Sequence, residues 1–219
     1  MPLMKRATNL LFVAATVGAV VGLSAGPAMA ATNLKVKVSS GGTYTATASK
    51  TVLSDNGVNV TCTTHNSTPA SKASGKAATA THTGASPVTI GTVTALAFNN
   101  CSGPLGAVHT TIQALPYTLK VDSTTNSSGQ TDGMITGAKV KVTMTGCSFM
   151  VTGSAPGFYT NSTHKLTITN KLPIKALNSA KLTVSSVSGC AGLVANGDHP
   201  SFTSTYTVSR HFTIKSTKS

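Results

Sequence analysis

Lys139-Val140-Lys141-Val142-Thr143-Met144-Thr145 alternates strictly, with Val140, Val142 and Met144 on one side and lysine or threonine on the other. A β-strand sends successive side chains to opposite faces, so this stretch has one dry face and one wet face as a strand and neither as a helix. The same period of two recurs in both directions along the chain. Thr43-Tyr44-Thr45-Ala46-Thr47-Ala48-Ser49 places a small hydroxyl at every second position, and Lys165-Leu166-Thr167-Ile168-Thr169 and Lys181-Leu182-Thr183-Val184-Ser185 repeat the lysine-led form. Phe202, Ser204, Tyr206 and Val208 alternate with Thr203, Thr205 and Thr207. β-branched Thr and Val suit a pleated, half-buried surface. One apolar and one hydroxylated face describe an antiparallel sheet wetted on one side.

Applied along the whole chain, the pattern predicts about a dozen strands. They fall near Leu34–Ser39, Thr43–Ser49, Val58–Thr64, Ala77–His82, Val88–Phe98, Val108–Gln113 and Tyr117–Val121. Further along they fall near Met134–Thr145, Ser148–Val151, Phe158–Asn161, His164–Thr169, Lys181–Val187, Ser201–Val208 and Phe212–Lys215. Clusters of Gly, Pro, Asn and Ser punctuate them, and Asn56-Gly57 and Asn196-Gly197 are hairpin-type turn pairs. Lys171–Ala180 has room for one helical turn after Pro173. The expected fold is all-β, an antiparallel sandwich or a small barrel. The Ser-, Ala- and Gly-rich stretch near residues 66–87 reads as a mobile loop or as cover for one weak strand, because it has little apolar area to bury.

The first thirty residues have another character. Lys5 and Arg6 precede an apolar run from Leu10 to Gly22, then Pro27 and Ala28-Met29-Ala30. This is the form of a secretory signal peptide cleaved after Ala30, with an apolar stretch too short for a membrane span. The division is then residues 1–30 as signal and residues 31–219 as one all-β domain with no transmembrane helix after processing. Gly22-Leu23-Ser24-Ala25-Gly26 matches the nucleophile-elbow pattern of hydrolases, but it lies inside the signal, without the strand and helix such an elbow needs.

Composition limits the chemistry. The formal charge is +13, or +11 once Lys5 and Arg6 are removed, against Asp55, Asp122, Asp132 and Asp198 as the only acids. Such a surface is drawn to anionic polymers, with an attraction that salt weakens. In an extracellular setting these are acidic wall polymers or surfaces. Lys139, Lys141, Lys165 and Lys181 are the candidate binding residues, forming a basic stripe if their strands are neighbours. Edge lysines that keep strands from aggregating would give the same pattern. No stacking aromatics interleave with them and no phosphate-cradling motif is present, so no specific nucleic-acid partner is expected.

Cys62, Cys101, Cys147 and Cys190 are an even set in an exported chain without C-x-x-C, which reads as two disulfides and not as a zinc site. Of three connectivities, Cys62–Cys101 and Cys147–Cys190 close the shortest rings. No pair of histidines has the spacing to share a metal, so neither metal nor cofactor is expected. Each aspartate sits beside turn residues and reads as a turn former. Asp198-His199-Pro200 is the most suggestive local cluster, since a carboxylate can orient an imidazole. Triplets such as Asn59-Val60-Thr61 and Asn161-Ser162-Thr163 match the glycosylation sequon, which matters only in a glycosylating host.

The surroundings of the cysteines are distinctive. They include Phe98-Asn99-Asn100-Cys101-Ser102-Gly103-Pro104-Leu105-Gly106, Gly157-Phe158-Tyr159-Thr160-Asn161, and the run from Gly189-Cys190 to Asp198. Together they resemble a group of small secreted β-rich proteins of actinobacteria. The resemblance implies a high-GC Gram-positive source and carries no activity or site residue. The sequence therefore points to a non-enzymatic, secreted or wall-associated structural or binding protein. Its alternatives are an envelope β-barrel pore, a lipid- or small-ligand-binding barrel, and a hydrolase with a site assembled from distant Asp and His residues.

Overall fold

The computed structural model describes residues 33–56, 58–173 and 180–219. The signal segment with its cleavage point after Ala30 and the Gly22–Gly26 motif lie outside the described residues. So do Gly57 of the first turn pair and most of Lys171–Ala180. The described residues belong to a compact unit spanning Ala31–Ser219.

Alternation becomes strand nearly everywhere. The strands are β1 (Asn33–Ser39), β2 (Gly42–Ala48), β3 (Lys50–Asp55), β4 (Val58–Thr63), β5 (Ser71–Ala77), β6 (Thr81–Ala85), β7 (Val88–Phe98) and β8 (Cys101–Gly103). They continue as β9 (Gly106–Ile112), β10 (Tyr117–Val121), β11 (Gln130–Met144), β12 (Cys147–Thr160), β13 (Lys165–Ile168), β14 (Leu182–Gly189), β15 (Ser201–Val208) and β16 (Thr213–Lys218). A single 3-10 turn, Cys190–Gly192, follows β14. The fold is all-β as expected, and every pairing is antiparallel.

The large sheet closes on itself by forking. β11 and β12 form a long hairpin, from Gln130 opposite Thr160 to Met144 opposite Cys147. β12 leads through β13 to β15. The free edge of β15 then serves two strands: Thr207 and Val208 pair with β2, and Ser201–Ser204 pair with β3. One arm runs β2-β5-β7-β10, the other β3-β4-β8-β9, and both rejoin β11 on its second edge. β10 takes the Gly133–Thr136 half of that edge and β9 the Val140–Thr143 half. Closure leaves few strand edges open to pairing with other chains.

A smaller sheet, β16-β1-β6, buries Leu34, Val36, Val38 and Ile214 on its inner face. It is tied to the large sheet by side chains that stand in for a strand. Asn161 donates through Nδ2 to Ile214 O at 2.8 Å and accepts through Oδ1 from Ile214 N at 2.8 Å. Thr125 Oγ1 accepts from Ser216 N at 2.8 Å. Phe212 stacks on Tyr159 at 4.9 Å, and Tyr159 Oη donates to Phe212 O.

Both disulfides have the expected connectivity. Cys62–Cys101 joins directly opposed residues of β4 and β8. Cys147–Cys190 pins the start of β12 to the turn after β14. Rings of 39 and 43 residues correspond to about 4 kcal/mol each in the chain-entropy account.

Four expectations are corrected. The stretch near residues 66–87 holds two strands, β5 and β6, in place of a mobile loop or one weak strand, and the expected strand Ala77–His82 spans the end of β5, the connection at 78–80 and the start of β6. Ser71, Ala73, Gly75 and Ala77 face inward while Lys72 and Lys76 face out. The burial this segment lacks is supplied by Tyr44, whose ring lies over Gly75. A Cβ at Gly75 would fall 2.6 Å from Tyr44 Oη and 2.0 Å from Thr92 O. The two short strands read at Ser148–Val151 and Phe158–Asn161 are one strand, β12. Its Gly153-Ser154-Ala155-Pro156-Gly157 looks like a turn, yet it stays paired, Gly153 and Ser154 facing Ala138 and Thr136 across the extra residue Gly137 of β11, and it allows a close approach, a Cβ at Gly157 falling 2.4 Å from Thr167 O. β3 and β8 were not foreseen. Asn196-Gly197 is not a hairpin between paired strands; its loop runs beside β14, Gly197 N donating to Val184 O and Val184 N to Asp198 O.

Gly75→Ala is expected to cost roughly 1–3 kcal/mol by overpacking Tyr44 and the Thr92 carbonyl. Urea denaturation monitored by tyrosine fluorescence measures it, and an unchanged midpoint would rule out this packing.

Candidate functional site

The inward side chains of the fork are too small to fill it. Ala46, Ala73, Ala138 and Ala155 share the interior with valines and with Thr51 and Thr110, leaving a cavity of about 120 Å³. Both arms line it: Tyr44, Ala73 and Val93 come from one, Leu53, Val60 and Thr110 from the other. A comparable engineered cavity of about 150 Å³ lined by Leu, Ile and Phe stays dry and admits benzene.

Four tyrosines reach inward, and the wall takes their hydroxyls. Tyr44 Oη donates to Thr92 O at 3.2 Å. Tyr206 Oη lies 2.9 Å from Ser71 Oγ, which in turn donates to Ala97 O. Tyr117 Oη lies 2.7 Å from Lys139 O and accepts from Lys139 N. Tyr159 Oη bonds Phe212 O, and burial pushes its phenol up to about 12. Burial also raises Tyr44, Tyr117 and Tyr206, so all four stay neutral at physiological pH. Tyr44, Tyr117 and Tyr206 line the cavity with their hydroxyls bonded to the wall, so apart from Thr51 and Thr110 its surface is apolar, and a polar occupant would lose hydrogen bonds on entering.

A second group of residues gathers where the Ala195–Pro200 loop meets β3 and β14. Asp198 and Asp55 lie together. Partial burial, then the neighbouring Asp198 carboxylate, raise Asp55 above the ordinary carboxylate range. Asp198 Oδ2 also accepts from Ala195 N at 2.7 Å, fixing the loop. His199 Nδ1 is 3.0 Å from Leu182 O. A carbonyl only accepts, so Nδ1 carries the proton and Nε2 is left to accept from Lys181 Nζ at 3.2 Å. Lys181, His199, Asn170 and Pro200 line a cleft of about 80 Å³. Its inner wall, Ala155, Leu182 and Phe202, also lines the large cavity.

The four lysines read as a stripe are split. Lys139 is opposite Thr152 and Lys141 opposite Met150, near the β14 end of β12, and Lys181 leads into β14 there. Lys165 is opposite Thr160, eight residues along β12, or about 26 Å away. It instead heads the cross-strand row Lys165–Thr207–Thr47–Lys72. A second basic face, unseen in the sequence, forms on the small sheet, where Lys37 is directly opposite Lys215 and Lys35 is two residues away.

Other notable side chains make no site. His164 and His211 stack in parallel at 4.1 Å, which points their lone pairs alongside one another and not at a common ion. Among the described residues no three His, Cys, Asp or Glu side chains gather to hold a metal. None of the helices there is long and apolar enough to cross a membrane. Ser86 Oγ donates to the Asp122 carboxylate, which burial nonetheless raises.

No protein family, curated protein or solved structure matches the chain.

Sequence reasoning singled out Asp198 and His199 and had Lys181 for another reason. Asp55 as their partner, and the residues that line the cavity, were missed. The signal for the cavity was present in the run of alanines at inward positions. The signal for Asp55 was absent, because 143 residues separate it from Asp198 and only the β3–β15 pairing joins their surroundings.

The raised Asp55 carboxyl makes a pH prediction. Asp55 is raised in the folded state, so it contributes stability at pH below the ordinary carboxylate range, about 4, and loses it as pH rises through its folded value. Asp55→Asn should therefore gain stability relative to the parent as pH increases from acid to neutral. Urea melts across that range test it, and a difference between the two proteins that does not change with pH would refute the pairing.

Proposed function

We propose that this is an exported binding protein that holds a small apolar ligand inside its forked barrel. The cavity carries this reading. A closed sheet lined by alanine and valine, with its tyrosine hydroxyls consumed by the wall, offers dispersion and desolvation to an apolar guest and nothing to a polar one. The outer rows of lysine and threonine favour a wetted exterior over a lipid-contacting barrel, whose apolar face would point outward. Two disulfides fit an oxidising compartment. A ligand at one hundred times its dissociation constant should stabilise the fold by about 2.7 kcal/mol. Thermal shift with small aromatic and aliphatic hydrocarbons reads this out. Ala138→Leu, which fills the cavity from β11, should abolish the shift without unfolding the chain. A parent protein that no apolar compound stabilises would end this reading.

A second role for the exterior rests on the face formed by Lys35, Lys37 and Lys215, where like charges sit together at a cost unless an anion joins them. This face supports retention on anionic wall polymers. Binding to polyphosphate beads should be strong at low salt and lost near 1 M, where screening acts over about 3 Å. Replacing the three lysines by Gln should weaken it, and salt-resistant binding would exclude the ionic mechanism.

A further inference from the structure

The large cavity and the Lys181 cleft share a wall, and this suggests the ligand's other end. Ala155, Leu182 and Phe202 face both spaces. Phe202 is only partly buried and meets Phe98, on the cavity side, edge-on at 5.7 Å, so an aromatic side chain forms part of the partition. On the outer side the polar groups are Lys181, His199 and Asn170. Among the described residues no acidic side chain lines that cleft. His199 occupies one N–H of the Lys181 ammonium, and the remaining two have no protein acceptor among the described residues. A cation with spare donors thus stands beside an apolar chamber whose tyrosine hydroxyls are bonded to its wall.

We infer that the ligand is an amphiphile with a carboxylate head, of the fatty-acid class. Lys181 binds the head, Asn170 supplies a further donor, and the chain passes Phe202 into the barrel. His199, held by Leu182 O, is a positioning residue: it accepts from Lys181 and keeps the ammonium at the mouth. A charge-assisted hydrogen bond at a half-open mouth distinguishes the acid from a neutral molecule with the same tail. This inference rests on the apolar-cavity reading, so its test separates the two.

Isothermal titration would compare octanoate with octanol in the parent protein, Lys181→Met and Ala138→Leu. Octanoate is expected to bind the parent more tightly than octanol. Lys181→Met, a change at an exposed position, should weaken octanoate roughly tenfold, about 1.4 kcal/mol, and leave octanol unchanged. Ala138→Leu should weaken both. If Lys181→Met leaves the ratio of the two affinities as it was, the head-group assignment is overturned and the cavity stands. If octanoate still binds after Ala138→Leu, the tail does not occupy the barrel and the inference is overturned. If neither probe binds the parent, the cavity reading itself fails.

Discussion

Everything in this fold depends on the pairing of β11 with β12. That hairpin spans the barrel, from Gln130 opposite Thr160 to Met144 opposite Cys147. Each strand offers its outer edge to two partners in succession: β10 and β9 on β11, and β13 and β14 on β12. A strand long enough to serve two neighbours is what lets the sheet split and rejoin. The shift at Thr136–Ala138 opposite Gly153 bends both strands at the fork. With the bend, the halves diverge and the apolar sides of the two arms look at each other across a gap.

The outline of this architecture was legible in the sequence, and its joints were not. Alternation located the strands whose two faces differ most in polarity, such as β2, β11 and β15. It could not see β5, where Ser71, Ala73, Gly75 and Ala77 are inward because they are small and not because they are greasy. Their burial comes from Tyr44 and Tyr206, which lie far off in the chain. The middle of β12 was hidden for a related reason. Gly153, Pro156 and Gly157 punctuate loops in most chains, whereas here they permit a bend and a close strand approach. Disulfide connectivity was readable because each bond closes the shorter ring. The Asp55–Asp198 contact depends on tertiary closure alone.

The candidate site follows the same division. Asp198 and His199 stood out locally, but their relation to Lys181 exists only because the Asn196–Asp198 backbone bonds Val184 and so lays the loop along β14. The lysines were legible as charge and illegible as a pattern. Two basic groupings, Lys165 with Lys72 and Lys35 with Lys37 and Lys215, arise from strand order that no local period encodes.

A cavity is an odd thing for such a wall to enclose. Side chains that face such a space lack partner atoms on one side, and that costs stability. The two disulfides offset that cost by acting on the unfolded chain, so they need no filled interior to be effective. Cys62–Cys101 lies in one arm and Cys147–Cys190 at the end of the β11–β12 hairpin, so the bonds brace the fork from the wall and leave the space between the arms clear. A sequence selected only for stability would replace Ala73, Ala138 or Ala155 with larger apolar residues. Keeping the alanines while stapling the wall preserves the space between the arms, and the disulfides offset what that packing loses.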